Sequence, residues 1–407
     1  MTIERRTLLG TAAAASATTI LPRASRAQGK VVKIGVLNDQ SGPYRDLSGM
    51  HAVVAARMAA KDFGPDLNVE VVFADHQNKP DIGAGIARQW IDQQGVDVIM
   101  DVNTSSVALA VNNVCKEKNR AYINVGAATT DLTGAQCTPV TIHWSYDTYM
   151  LAQSTGGAMV RAGGKSWYFI TADYVFGQQL QRDTTGFVTK EGGKVVGASL
   201  YPFPGTTDFS SFLVSAQSSG ADVLGLANAG ADTINSIKQA AEFGLTKQMK
   251  VAALLMYIQD VHGLGLEAAQ GLFLTESFYW DMNDRTRAFT KRWQQVEPNF
   301  APNMTNVANY AGALHFLKAV KALGGADKAA DGAAVVAQMK AMPIKDDVYG
   351  TAKIREDGMV LIPSYLFQVK TPAESKGPWD YYKLVQETPA DKAWKPMADG
   401  GCPLVKS

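Results

Sequence analysis

Two clusters of small and hydroxyl-bearing residues are the parts of this 407-residue sequence best suited to chemistry: Asn103-Thr104-Ser105-Ser106 and Gly126-Ala127-Ala128-Thr129-Thr130-Asp131. Each follows a short apolar run that reads as a β-strand, residues 96–102 and 121–125, and the first leads straight into helical periodicity. Where a strand hands over to a helix, the first N–H groups of the helix lack intrahelical partners. Hydroxyls beside them complete a receptor for a carboxylate or another small anion. Ala172-Asp173-Tyr174-Val175-Phe176-Gly177 and Asn228-Ala229-Gly230-Ala231-Asp232 occupy equivalent strand ends further along. Ligands of open α/β sheets gather at that edge. Ordinary helix capping explains one such cluster alone; small residues at strand ends in two halves of the chain point to a shared cleft.

Covalent chemistry finds little support. The sequence holds no Gly-x-Ser-x-Gly, no His-Glu-x-x-His and no Gly-x-x-x-x-Gly-Lys-Ser/Thr. Gly263-Leu264-Gly265-Leu266-Glu267-Ala268 fits a dinucleotide fingerprint by letter, but no strand directly precedes it. The five histidines are scattered without i, i+4 pairs, and the three cysteines form no Cys-x-x-Cys. Neither metal nor cofactor is expected, and an exported hydrolase is the residual enzymatic alternative.

The elements that must position these clusters alternate. Strand-like runs at 31–37, 69–73, 96–102 and 121–125 are separated by helical stretches, and the rhythm restarts from residue 148 through strands at 167–171, 195–201, 223–227, 251–255 and 272–277. Near-continuous apolar strands between helices of 10–15 residues predict parallel sheets covered on both faces, in two consecutive doubly wound α/β lobes. Amphipathic helices follow at 284–296 and 307–323. The composition, 46% hydrophobic and 19% charged, is globular, and a net charge of +1 gives no pull toward nucleic acid. Residues 1–27 read as an export signal. Arg5-Arg6 precedes a weakly apolar stretch and Ser25-Arg26-Ala27 offers a cleavage site near Ala27, the twin-arginine pattern. An oxidising compartment then permits one disulfide among three pairings. Cys137 and Cys402 lie in loop sequence beside Pro139 and Pro403, whereas Cys115 lies in a helical run, which favours Cys137–Cys402 with Cys115 free.

The run Val32-Lys33-Ile34-Gly35-Val36-Leu37 through Ser41-Gly42-Pro43-Tyr44, followed by Thr104-Ser105-Ser106 and Gly126 to Thr133, resembles the type I periplasmic solute-binding proteins. More narrowly it resembles the branched-chain amino-acid binding, leucine-binding protein-like family of ABC importers, over about residues 30–370. The resemblance implies two Rossmann-like lobes joined by three crossover strands, near 142–146, 275–279 and 349–364. The first lobe would comprise 30–145 with 278–355, and the second 146–277 with 356–407. It also implies a soluble, monomeric periplasmic protein that works with a membrane permease and does no catalysis. Thr104, Ser105 and Ser106 would hold a ligand carboxylate, helped by Gly126, Ala127, Ala128 and Thr129. Tyr44 would form one wall, and Tyr174, Phe176, Asn228, Ala229 and Tyr257 the opposing face. The same fold also serves periplasmic sensors that pass ligand status to a membrane signalling protein, which is the alternative. In the family's amino-acid binders a second-lobe Glu meets the ligand ammonium. Leu254 aligns there, Asp260 is the first carboxylate after it, and Asn228-Ala229-Gly230 replaces a bulky aromatic. A carboxylate without an α-amino group, apolar or aromatic, is therefore expected ahead of a branched-chain amino acid.

Overall fold

The computed structural model describes residues 30–406, so the expected export signal lies outside the described residues. A five-stranded parallel sheet has the order β2 (Val69–Asp75), β1 (Val32–Asn38), β3 (Val98–Asp101), β4 (Ala121–Asn124), β5 (Thr141–His143). A seven-stranded sheet holds β6 (Ser166–Ala172), β7 (Lys194–Tyr201), β8 (Val223–Ala227), β9 (Lys250–Ala253) and β10 (Phe273–Glu276). They run parallel, with β14 (Ser364–Val369) and β15 (Tyr382–Thr388) added antiparallel at one edge. β1, β3, β4 and β8 are buried almost throughout, as strands covered by helices on both faces must be. This is the two-lobed, doubly wound α/β architecture of a type I periplasmic binding protein. Among the described residues no helix is long and apolar enough to cross a membrane.

The chain passes between the sheets three times: after β5, after β10, and between β13 (Val360–Leu361) and β14. The last crossing is shorter than the 349–364 expected. β11 (Ile344–Asp346), β12 (Gly350–Ile354) and β13 form a small antiparallel sheet, and Met359 bridges in parallel to His143 at the end of β5. Residues 344–361 therefore extend the first lobe, leaving only 362–363 to cross. Helix Met304–Ala322, buried on nearly every face, packs against helix Gly49–Phe63 and so belongs to the first lobe as well. Phe278-Tyr279-Trp280 follows β10, with the Tyr279 hydroxyl and the Trp280 indole both donating to the Trp379 carbonyl, at 3.2 and 2.7 Å.

The tail departs from the expected second-lobe assignment of 356–407. After β15 it turns back, buries Ala393 and Trp394, and ends beside the first lobe, where Gly400 meets Thr133 and Gly134. There Cys402 is bonded to Cys137, with Cα atoms 5.5 Å apart, and Cys115 is a buried free thiol. The Trp394 indole, donating to the Ile362 carbonyl at 2.9 Å, and the bond to Cys137 hold the tail there after it leaves the edge strand.

Candidate functional site

The pocket begins where β3 ends. Asp101 and Val102 both adopt positive φ, +74° and +52°, which swings the chain out of the strand and sets Asn103 and Ser105 at the sheet edge. The Asp101 carboxyl is buried, and burial pushes it above the usual carboxylate range even though Ser48, Asn38 and Asn309 donate to it. It is thereby spent on holding the first lobe together. Asn103 Oδ1 accepts from the Asp39 amide at 2.9 Å, while its Nδ2 has no partner among the described residues. Helix Ser105–Lys118 starts here without a side-chain cap, because the hydroxyl of Thr104 is turned to Asn78. The Ser105 hydroxyl is also buried and unpartnered. A buried hydroxyl, a buried amide NH2 and an uncapped helix N-terminus together suit a carboxylate that would pair them.

Gly126 closes this end from β4. A Cβ there would lie 2.7 Å from Asn103 Cα and 2.8 Å from Asp101 Oδ1, so only glycine lets the two strand ends meet. Its carbonyl accepts from the Tyr146 hydroxyl, which aims that ring into the cavity, edge-on to Tyr257 at 6.1 Å between centroids. Across the cleft, the hydroxyls of Tyr44 and Tyr174 share a hydrogen bond of 2.6 Å, and Tyr174 stacks on Phe203 at 4.4 Å. The Ala231 amide donates to the Pro43 carbonyl at 3.1 Å. These bonds join the two lobes, so the structure is the closed form. A small space lined by residues of both lobes remains between them.

Of the residues expected at the site, Tyr44, Ser105, Gly126, Ala128, Tyr174, Phe176, Ala229 and Tyr257 line this cavity. Thr104, Ser106, Ala127, Thr129 and Asn228 do not. Thr104 bonds Asn78, and Ser106 faces partly outward at the next helical position. The Ala127 carbonyl accepts from Asn124, and the Thr129 hydroxyl accepts from the Asp131 amide. Asn228 is tied to Thr233 and Ser236 inside the second lobe. Leu47, Ser48, Asn103, Tyr146, Leu255 and Thr305 were missed. Asn103 stood inside a cluster already singled out, and Tyr146 and Leu255 lay in runs read only as a crossing and a strand; Leu47, Ser48 and Thr305 come from segments with no local signal.

Among the described residues, no acidic side chain lines the cavity. Leu255, one residue beyond Leu254, faces it, and Leu254 is core. Asp260 offers no rescue, because its carboxyl accepts from the Tyr257 amide at 2.9 Å and caps helix Ile258–Leu264. Glu276 is buried and accepts from the amides of Ile258 and Met304, both at 3.2 Å, and from the Tyr382 hydroxyl at 2.9 Å. Burial nonetheless pushes Glu276 up to about 8. A carboxyl whose folded pKa is raised binds its proton more tightly when folded. Its contribution is complete below the unfolded value near 4.5 and is lost as pH rises through about 8. Thermal denaturation should accordingly show stability falling between about pH 5 and 8, and Glu276→Gln should flatten that fall. An unchanged slope in the variant would assign the dependence elsewhere.

A family model described as periplasmic binding protein matches residues 31–378. A periplasmic binding protein from Burkholderia mallei, known as a crystal structure, is 47% identical. It superposes with a TM-score of 0.88 over 92% of this chain and 99% of that one. A branched chain amino acid ABC transporter periplasmic ligand-binding protein from Burkholderia xenovorans LB400 is 35% identical, with a TM-score of 0.78 over the same shares. The Leu/Ile/Val-binding protein homolog 6 of Brucella melitensis is 28% identical over 329 residues, 78% of this chain and 83% of that protein. With a match that spans most of its length and a two-lobed fold closed around one cavity, the chain belongs to the periplasmic binding proteins, in the leucine-binding protein-like group that serves ABC importers.

Proposed function

We propose that this protein is exported to the periplasm and captures a small carboxylate-bearing solute in the cleft between its lobes. The solute is an apolar or aromatic acid, with branched-chain amino acids ranked behind it. The lobes, residues 30–143 with 277–361 and residues 144–276 with 364–388, rotate about the three crossings. The closed form delivers the solute to a membrane permease. One observation carries this reading: the unpartnered Ser105 hydroxyl and Asn103 amide sit at an uncapped helix N-terminus, facing a wall of Tyr, Phe and Leu with no acid among the described residues. A carboxylate satisfies the polar end, and a ring or branched chain fills the rest. An ammonium buried there would lack a partner, at a cost of several kcal/mol.

Calorimetry on refolded, ligand-stripped protein tests it, with benzoate, phenylpropanoate, a branched 2-oxo acid, leucine and valine as probes. Saturable 1:1 binding of one or more of the deaminated acids, with weaker leucine binding, is expected. Micromolar or tighter leucine binding with none of the acids would overturn the ligand class and leave the family membership intact. Ser105→Ala should weaken the bound acid by roughly 10–100-fold, the worth of a hydrogen bond to a charged group. An unaltered affinity in that variant would place the carboxylate elsewhere.

A further inference from the structure

After Thr388 the chain leaves the seven-stranded sheet and runs back along the hinge to the first lobe, and three attachments hold this strap. The Trp394 indole donates to the Ile362 carbonyl at 2.9 Å, inside the two-residue third crossing. The Lys395 carbonyl accepts from Arg355 at 2.9 Å, and that guanidinium is paired with Asp357 on the turn between β12 and β13. The third attachment is the bond from Cys402 to Cys137. Cys137 ends a compact loop whose other end is cleft wall. Ala128 lines the cavity, and its carbonyl accepts from the Thr148 amide just beyond the first crossing, at 2.9 Å. The Asp131 carbonyl accepts from the amides of Gly134 and Gln136, and its carboxylate accepts from Gln179 of the second lobe at 2.9 Å. Strap, crossing, loop and cleft wall are thus one connected body.

We propose that the Cys137–Cys402 bond makes the strap a fourth connection between the lobes, one that biases the hinge toward closure and loosens when the bond is reduced. This rests on the hinge closure proposed above, but not on the identity of the ligand. Three short crossings near one axis leave rotation about that axis free. A fourth link, closed covalently and held against the third crossing, removes wide-open conformers and lowers the entropy lost on closing. The reductant is a dithiol, which gives two electrons and two protons to the sulfur pair, leaves two thiols, and becomes a cyclic disulfide.

Hydrogen exchange read by mass spectrometry on the ligand-free mature protein tests this. The oxidised protein, the dithiothreitol-reduced protein, Cys402→Ser, and Trp394→Phe with the disulfide intact would be compared. Peptides covering 126–137 and 144–151 should exchange about fivefold faster or more after reduction and in Cys402→Ser, a typical coupling between distant sites. Trp394→Phe should accelerate 144–151 as well. Three results overturn the proposal: acceleration confined to 389–406, equal acceleration in the core strand 223–227, or no effect of Trp394→Phe.

Discussion

Gly230→Ala should prevent the cleft from closing and cut ligand affinity by roughly a hundredfold or more. Gly230 sits at φ +60° just before helix Ala231–Glu242, on the second lobe. A Cβ built there would lie 2.4 Å from the Pro43 carbonyl oxygen of the first lobe, and 3.2 and 3.3 Å from Tyr44 Cδ1 and Leu47 Cδ1. The tightest of these contacts is backbone, which cannot turn aside as a flexible side chain can. The lobes must separate, breaking the bond from the Ala231 amide to that same carbonyl and pulling Tyr44 from Tyr174. About 3 kcal/mol against the closed form lowers the binding-competent fraction, and the apparent affinity, about a hundredfold. The positive φ adds backbone strain of its own in open and closed forms alike. Gly265→Ala isolates that term, since Gly265 has φ +78° and nothing within 4 Å of a built Cβ. Titration with the acid that binds the wild type should show Gly265→Ala losing stability but not affinity. Equal affinity in Gly230→Ala and the wild type would mean that ligand binds without this closure.

Removing the disulfide should cost about 2–5 kcal/mol of stability. The two cysteines are 265 residues apart in sequence, so the bond closes a very long loop and restricts the unfolded chain strongly. It also pins the segment that runs from the edge of the seven-stranded sheet back to the first lobe. Chemical denaturation of Cys137→Ser and Cys402→Ser should show the same loss in each, because either substitution breaks the same closure. A loss in one variant alone would trace the effect to local packing around that residue.

Much of the fold was legible because buried parallel strands are nearly continuous apolar runs, as in Val32–Asn38 and Val223–Ala227. The cleft was legible because strand ends carry a composition of their own. Side-chain direction was not. Thr104 and Ser105 are neighbours with similar hydroxyls, yet Asn78 claims the first and leaves the second free. Leu254 and Leu255 likewise differ only in which face of the chain they occupy. Ser48 and Thr305 reach the cavity from opposite ends of the sequence, and only the packing of helix Met304–Ala322 on the first lobe brings them together. The tail misled for a related reason. β15 does join the second lobe, but Trp394 and Cys402 beyond it answer to partners more than 30 residues away.

The burial of helix Met304–Ala322 against helix Gly49–Phe63 also fixes an order of events during synthesis. When residue 300 has been made, all five strands of the first sheet exist, but the helix that covers part of them does not. The second lobe has by then its five parallel strands, within 166–276, but not β14 and β15, which close one edge of its sheet. The half of the molecule begun first therefore cannot be completed on its own, and the apolar face that this helix covers stays exposed until residue 322 has been made.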